Sequence, residues 1–145
     1  MKNILTLFIC LSFSFTSCQT KKTTSKQEAI INAEAIEVPM ENGLAKAYFA
    51  SGCFWCVEAI YESVNGVSEV INGYAGGHSD SPTYQLSNTG RTGHAEAVEV
   101  YYDPRIVSFS TLLDVYFGSQ NITQVNGQGP DRGSQYRSIV FYQNE

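Results

Sequence analysis

Two cysteines three positions apart, with two large aromatics between them, form the stretch Gly52-Cys53-Phe54-Trp55-Cys56. Thiols at this spacing can be a redox pair, half of a metal site, or two small core residues. The chain has four cysteines, and the other two, Cys10 and Cys18, lie in an N-terminal segment with a reading of its own. A zinc site of the CxxC…CxxC type therefore lacks its second pair. His78 and His94 stand 16 residues apart, not at the short spacing of a Cys₂His₂ site, which argues against metal. Redox chemistry is then favoured over burial as core. If a strand hands over to a helix at Cys53, the free backbone N–H groups there favour an anion, and the thiolate is the nucleophilic form.

A carboxyl is the second chemical feature. Glu96, in Gly93-His94-Ala95-Glu96-Ala97-Val98, shares parity with Val98 and Val100 on an expected strand. On a covered face it would be desolvated, remain protonated to higher pH and act as an acid near neutrality. The opposite face carries Ala95, Ala97 and Tyr101, so parity alone does not choose the face. A solvated strand carboxylate is the plain alternative, and is how Glu99 reads. On their own, Tyr136 reads as core and Asp131, after Pro130, as a turn residue.

These groups need elements to hold them, and periodicity supplies a set. Residues 46–51 read as a short strand entering Gly52. Val57, Ile60, Tyr61 and Val64 repeat at helical spacing, so a helix is expected from about Phe54 to Val64, closed by Asn65-Gly66. A second strand is expected over 67–77, then a long polar loop over 78–93, then a third strand over 94–103 stopped by Asp103-Pro104. Phe109, Leu112, Leu113, Tyr116 and Phe117 return to helical spacing, with Ser108 or Ser110 as cap. A Gly-rich loop spans 118–135, and a fourth strand is expected over 136–143. The order β-α-β-β-α-β predicts an α+β two-layer sandwich with a split, ferredoxin-like core and long functional loops.

Ahead of this domain, Lys2 precedes the apolar run ILTLFICLSFSF. A positive start, a short apolar core and small residues read as a secretory signal, too short for a good membrane span. Phe15-Thr16-Ser17-Cys18 resembles a bacterial lipobox, which implies cleavage before Cys18 and a lipid on its sulfur. Such a chain favours the membrane by about 0.8 kcal/mol per buried CH₂. The expected organisation is a lipoprotein-type signal peptide over 1–17, a flexible tether over 18–45 and a folded domain over 46–145. The expected location is the cell envelope, anchored in the periplasm or on the outer surface. The domain is expected to be incomplete at its C-terminus, because the chain stops two residues after the fourth strand. With 145 residues, 43% of them hydrophobic, one modest domain with a real core is affordable, and a monomer is expected. A net charge of -5 gives no electrostatic footprint for nucleic acid.

The stretches GCFWCVEA, GYAGGHSDSPTY, TGHAEAVEVYYDP and GSQYRSIVFY, in that order, resemble the methionine sulfoxide reductase A family over about residues 46–145. Reducing a sulfoxide needs a nucleophile at sulfur, a proton for the departing oxygen and a seat for the methyl group. The resemblance implies that Cys53 is the nucleophile and becomes a sulfenic acid as methionine leaves. It implies that Phe54 and Trp55 seat the methyl group and that Glu96 supplies the proton. It also implies that Tyr84 and Tyr136 hydrogen-bond the sulfoxide oxygen, with Asp131 as an acidic site residue. Many family members carry glycine at the position of Cys56. The cysteine here suggests a resolving thiol that closes a Cys53–Cys56 disulfide, recycled by a thioredoxin-like donor. A three-apart disulfide on a helical turn is expected to be strained and readily reduced.

The implied substrates are methionine S-sulfoxide, free or in oxidised proteins, with no metal and no bound cofactor. One stretch departs from the family: Ser119-Gln120-Asn121-Ile122 stands where a His-Asp-Pro segment is common. Two further readings stand beside this one. An exported thiol–disulfide oxidoreductase could use the same CxxC pair, but it needs neither a methyl pocket nor the Glu96 carboxyl. A non-enzymatic binding module could use the aromatic pocket alone.

Overall fold

The computed structural model describes residues 39–143; the signal segment, the lipobox with Cys18 and most of the tether lie outside them. Strand structure is already present ahead of Lys46. Strand β1 (Met40–Glu41) turns back through Asn42 and Gly43 into β2 (Leu44–Ala50). Both turn residues have positive φ, 55° and 81°, the combination an Asn-Gly pair adopts most readily in a two-residue hairpin.

Helix α1 (Phe54–Glu62) follows, then β3 (Val67–Ala75). Within the expected polar loop a single helical turn, α2 (Tyr84–Ser87), is capped by Thr83, whose hydroxyl accepts from the Leu86 amide at 3.3 Å. Four residues are too few for a periodic signal. Strand β4 (Ala95–Tyr102) and helix α3 (Phe109–Gly118) match the expected elements. Ser108 is the cap of α3, accepting from the Thr111 amide at 3.1 Å.

The last expected strand needs correction. Residues 134–136 form a 3₁₀ turn, and the strand β7 is confined to Ile139–Phe141. Gly133, at φ 129°, swings the chain so that its carbonyl accepts from the Tyr136 amide at 3.0 Å. Tyr136 thus leaves the sheet. The preceding Gly-rich loop holds a small hairpin of β5 (Gly127–Gln128) and β6 (Asp131–Arg132).

In the main sheet β4 lies between β2 and β3, antiparallel to both, and β1 and β7 share the far edge of β2. The core fills one face of this sheet. Ala45, Ala47 and Phe49 from β2 and Val98, Val100 and Tyr102 from β4 meet Val57 and Tyr61 of α1 and Leu112 and Tyr116 of α3. Phe49 is its centre, stacked on Tyr61 at 4.9 Å and tilted against Tyr116 at 5.5 Å. Burying one such side chain is worth roughly 1.5–3 kcal/mol. Two of its three tyrosines are satisfied there, Tyr61 donating to the Leu112 carbonyl and Tyr116 to that of Ala50, both at 3.1 Å. The second bond ties α3 to the last residue of β2, immediately before the cysteine turn.

Candidate active site

The turn between β2 and α1 is built on Gly52. Its φ is +82°, and a Cβ there would lie 2.6 Å from the Cβ of Gln128. Only glycine suits both demands. The turn places Cys53 as the N-cap of α1, with its carbonyl accepting from Cys56 at 3.0 Å and from Val57 at 3.3 Å. Its side chain makes no capping bond, so the thiol is free to face outward. One turn on, Cys56 is exposed. Its thiol is pushed up by partial desolvation, by the adjacent Cys53 and by Asp131.

Glu96 points onto the helix-covered face and is 2% exposed. It shares that face with Val98 and Val100, which are buried in the main core. Its Oε2 accepts from the Phe54 amide at 3.0 Å. That amide is one of the donors left free at the start of α1. Burial raises the carboxyl above its ordinary range; the Phe54 bond opposes this and the nearby Asp131 reinforces it. A buried carboxyl is thereby bonded to the residue that follows Cys53.

Aromatic rings wall this spot. Phe54 is buried, while Trp55 is 61% and Tyr84 44% exposed. Trp55 and Tyr84 lie nearly parallel, centroids 6.1 Å apart, and Tyr84 also stacks on Phe54 at 6.4 Å. Tyr136 joins from the 3₁₀ turn. Its phenol is raised by desolvation and by the charges of Glu96 and Asp131, with Tyr84 and Cys53 also in range. The structure therefore brings together Cys53, Phe54, Trp55, Cys56, Tyr84, Glu96, Asp131 and Tyr136. Of the candidate site residues, Cys18 alone lies outside the described residues.

On the other side of the cysteines a groove of about 270 Å³ is lined by Ser51, Cys53, Cys56, Ile60, Gln128 and Asp131, among others. The departure at Gln120 is bonded to two of these lining residues, Ser51 and Gln128. The Gln120 Oε1 accepts from Ser51 at 2.6 Å, from Ser138 at 2.7 Å and from Gln128 at 3.2 Å. It joins the cysteine turn to both flanking segments. Asn121 Oδ1 folds the next turn by accepting from the Thr123 amide and hydroxyl at 3.0 and 2.7 Å. Sequence reasoning also missed Arg137, whose guanidinium donates to the carbonyls of Ser134, Gly93 and Gly76 and so holds the Tyr136 turn against the β3–β4 end. Neither residue has a signal before the loops are seen together. Among the described residues, no group of three or more His, Cys, Asp or Glu is placed to hold a metal ion, and no helix is long and apolar enough to cross a membrane.

The arrangement has named counterparts. Residues 45–145 match the family model described as peptide methionine sulfoxide reductase. A relative from Natronomonas pharaonis, named peptide methionine sulfoxide reductase MsrA, is 52% identical over 101 residues, covering 70% of this chain and 57% of the relative. One of the same name from Methanosarcina acetivorans is 47% identical over 127 residues, covering 88% and 65%. This chain thus spans less than two thirds of either relative's length. Among solved structures, methionine sulfoxide reductase A of Corynebacterium diphtheriae aligns with a TM-score of 0.69 at 38% identity, covering 72% of this chain and 49% of that one. The reduced form of Mxr1 from Saccharomyces cerevisiae aligns at 0.65 and 32%, covering 77% and 65%.

Proposed function

The chain belongs to the peptide methionine sulfoxide reductase family, and from that premise we propose that it reduces methionine S-sulfoxide, free or in oxidised proteins. One observation carries the reading: a carboxyl sealed from water is hydrogen-bonded to the amide that follows Cys53, under an open aromatic wall. A thiol–disulfide oxidoreductase would use the cysteines but has no task for that acid, and the family match does not favour it.

In this reading the substrate methyl group rests on Phe54 and Trp55, and the sulfoxide oxygen lies between Glu96 and the hydroxyls of Tyr84 and Tyr136. Cys53 attacks sulfur while Glu96 protonates the oxygen. The oxygen passes to Cys53, leaving methionine and a Cys53 sulfenic acid. The Cys56 thiol then attacks the sulfenic sulfur, water leaves, and a Cys53–Cys56 disulfide forms. A thioredoxin-like dithiol reduces it, becoming a disulfide itself. Asp131 adds negative charge beside the pair. No metal or bound cofactor takes part. The strand order, with β4 between β2 and β3, supports the split, ferredoxin-like core.

Dabsyl-methionine sulfoxide with dithiothreitol tests the reading: the S epimer should be consumed and the R epimer spared. An inactive folded protein would overturn it. Cys56→Ser should keep a single turnover and lose recycling by thioredoxin; full multi-turnover activity would remove the resolving role. We also propose that residues 1–17 direct export and that Cys18 carries the lipid anchor, supported by Lys2, the apolar run and the lipobox alone. Labelled palmitate should enter the expressed full chain and not its Cys18→Ala variant.

A further inference from the structure

The mechanism leaves one polar group beside Glu96 unused. Tyr74 lies in β3 directly opposite Glu96 in β4. Opposed residues of an antiparallel pair project from the same face, with Cβ atoms about 4.5–5.5 Å apart. The Tyr74 ring packs on Phe54, centroids 5.7 Å apart. Its hydroxyl is sealed from solvent and has no hydrogen-bond partner. Tyr61 and Tyr116, buried in the same core, each donate to a carbonyl. Tyr102 shares the unpaired state but sits opposite Ala45 and Val67, with no carboxyl beside it. An unpaired buried hydroxyl is a standing loss of stability, so its place beside a proton donor calls for a function.

Glu96 supplies one. Its Oε2 accepts from the Phe54 amide, and among the described residues no other hydrogen bond to the carboxyl is formed. Once the proton leaves, a carboxylate that is 2% exposed would be held by a single donor. Buried charge is tolerated only when further donors meet it. The groups that bear on it come from several elements: the Phe54 amide from α1, Tyr74 opposite it in β3, and Asp131 and Tyr136 from the last loop, with Tyr84 of α2 and Cys53 in range of those tyrosines. Asp131 repels the new charge. Tyr84 and Tyr136 serve the substrate oxygen in the proposed reaction.

We propose that Tyr74 is a positioning residue for Glu96: its hydroxyl donates to the Glu96 carboxylate as the proton departs and stabilises the charge that this transfer creates. The consequence for turnover rests on the reductase reading, whereas the coupling of the two side chains does not. The infrared band of the protonated Glu96 carboxyl, assigned by its loss in Glu96→Gln, reports the coupling directly. Tyr74→Phe should lower the acid dissociation constant of Glu96 on the order of tenfold, the weight of one hydrogen bond to a charge. It should slow the Cys53 half-reaction by about as much with KM little changed, and have no further effect on rate in Glu96→Gln. Replacement of Tyr74 by 3-fluorotyrosine, a better donor of the same shape, should move the titration the opposite way, and keeps the test open if the phenylalanine variant folds poorly. An unmoved Glu96 titration in either variant, or an equal rate loss in the Glu96→Gln background, would overturn the proposal. A shifted titration in a protein that reduces no sulfoxide would sink the reductase reading and leave the coupling standing.

Discussion

Glu96 and Glu99 stand on the same strand, three residues apart, and meet opposite environments. Glu96 faces the helices, is 2% exposed and accepts one amide bond. Glu99 faces the other side of the sheet, where the Tyr48 hydroxyl donates to it at 2.7 Å and the Lys46 ammonium lies 3.6 Å away. One carboxyl is buried with a single donor, and burial holds it above its ordinary range; the other meets two donors. Local sequence hardly separates them. The period of two along β4 sends one residue into the core and the other out of it, and the packing of α1 decides which face is the core. In the proposed reaction, the acidity of Glu96 is therefore set by what the fold withholds.

The contrast breaks most easily in activity. Glu96→Gln should lower sulfoxide reduction by about 10²–10⁴-fold, the usual range for losing a general acid. Glu99→Gln, assayed in parallel, should stay within about twofold. Equal losses in the two would mean that the strand as a whole, rather than the buried carboxyl, matters. A smaller effect is expected at the turn that delivers the Phe54 amide to Glu96. Gly52→Ala places a Cβ in a positive-φ position, 2.6 Å from Gln128. It should destabilise by about 1–3 kcal/mol in urea titration and reduce activity with it. Wild-type stability in that variant would show that the turn can relax away from Gln128.

Much of this was readable in the chain itself. Gly52 through Cys56 carried the helix start, the thiols and the aromatic wall, because all are neighbours in sequence. Helical spacing placed α1 and α3, and Ser108 capped the latter as expected. Parity correctly paired Glu96 with Val98 and Val100, although the choice of face had to come from packing. What was not readable depends on distant strands meeting. The pairing of Tyr74 with Glu96 is a register between β3 and β4, and register leaves no local mark. The Gln120 network joins residues 51, 120, 128 and 138. Tyr136 was assigned to a strand with the apolar run Ile139-Val140-Phe141 that follows it; Gly133 diverts it into the site. Asn42-Gly43 is the exception, a hairpin signal present in plain sight within the expected tether.

The smallest expected effect is on stability, and its sign separates the two carboxyls most cleanly. Burial raises Glu96 above its ordinary value of 4.5. At pH below that value the group is protonated in both the folded and the unfolded chain, so it contributes no penalty. As pH rises through the raised folded value, the unfolded chain releases its proton first, and folding must either hold the proton or bury a charge. Stability from Glu96 is thus present in acid and lost towards alkaline pH. Glu96→Gln removes the titration, so its melting temperature relative to the parent should climb from pH 4 to pH 9. Glu99→Gln should instead lower the melting temperature slightly: its amide oxygen can still accept from Tyr48, and only the Lys46 pair is given up, about 0.2–1 kcal/mol. Thermal melts of the three proteins at several pH values measure this. If Glu96→Gln gained nothing on going alkaline, the carboxyl would be better solvated than its 2% exposure implies, and the contrast with Glu99 would reduce to a difference in hydrogen-bond partners.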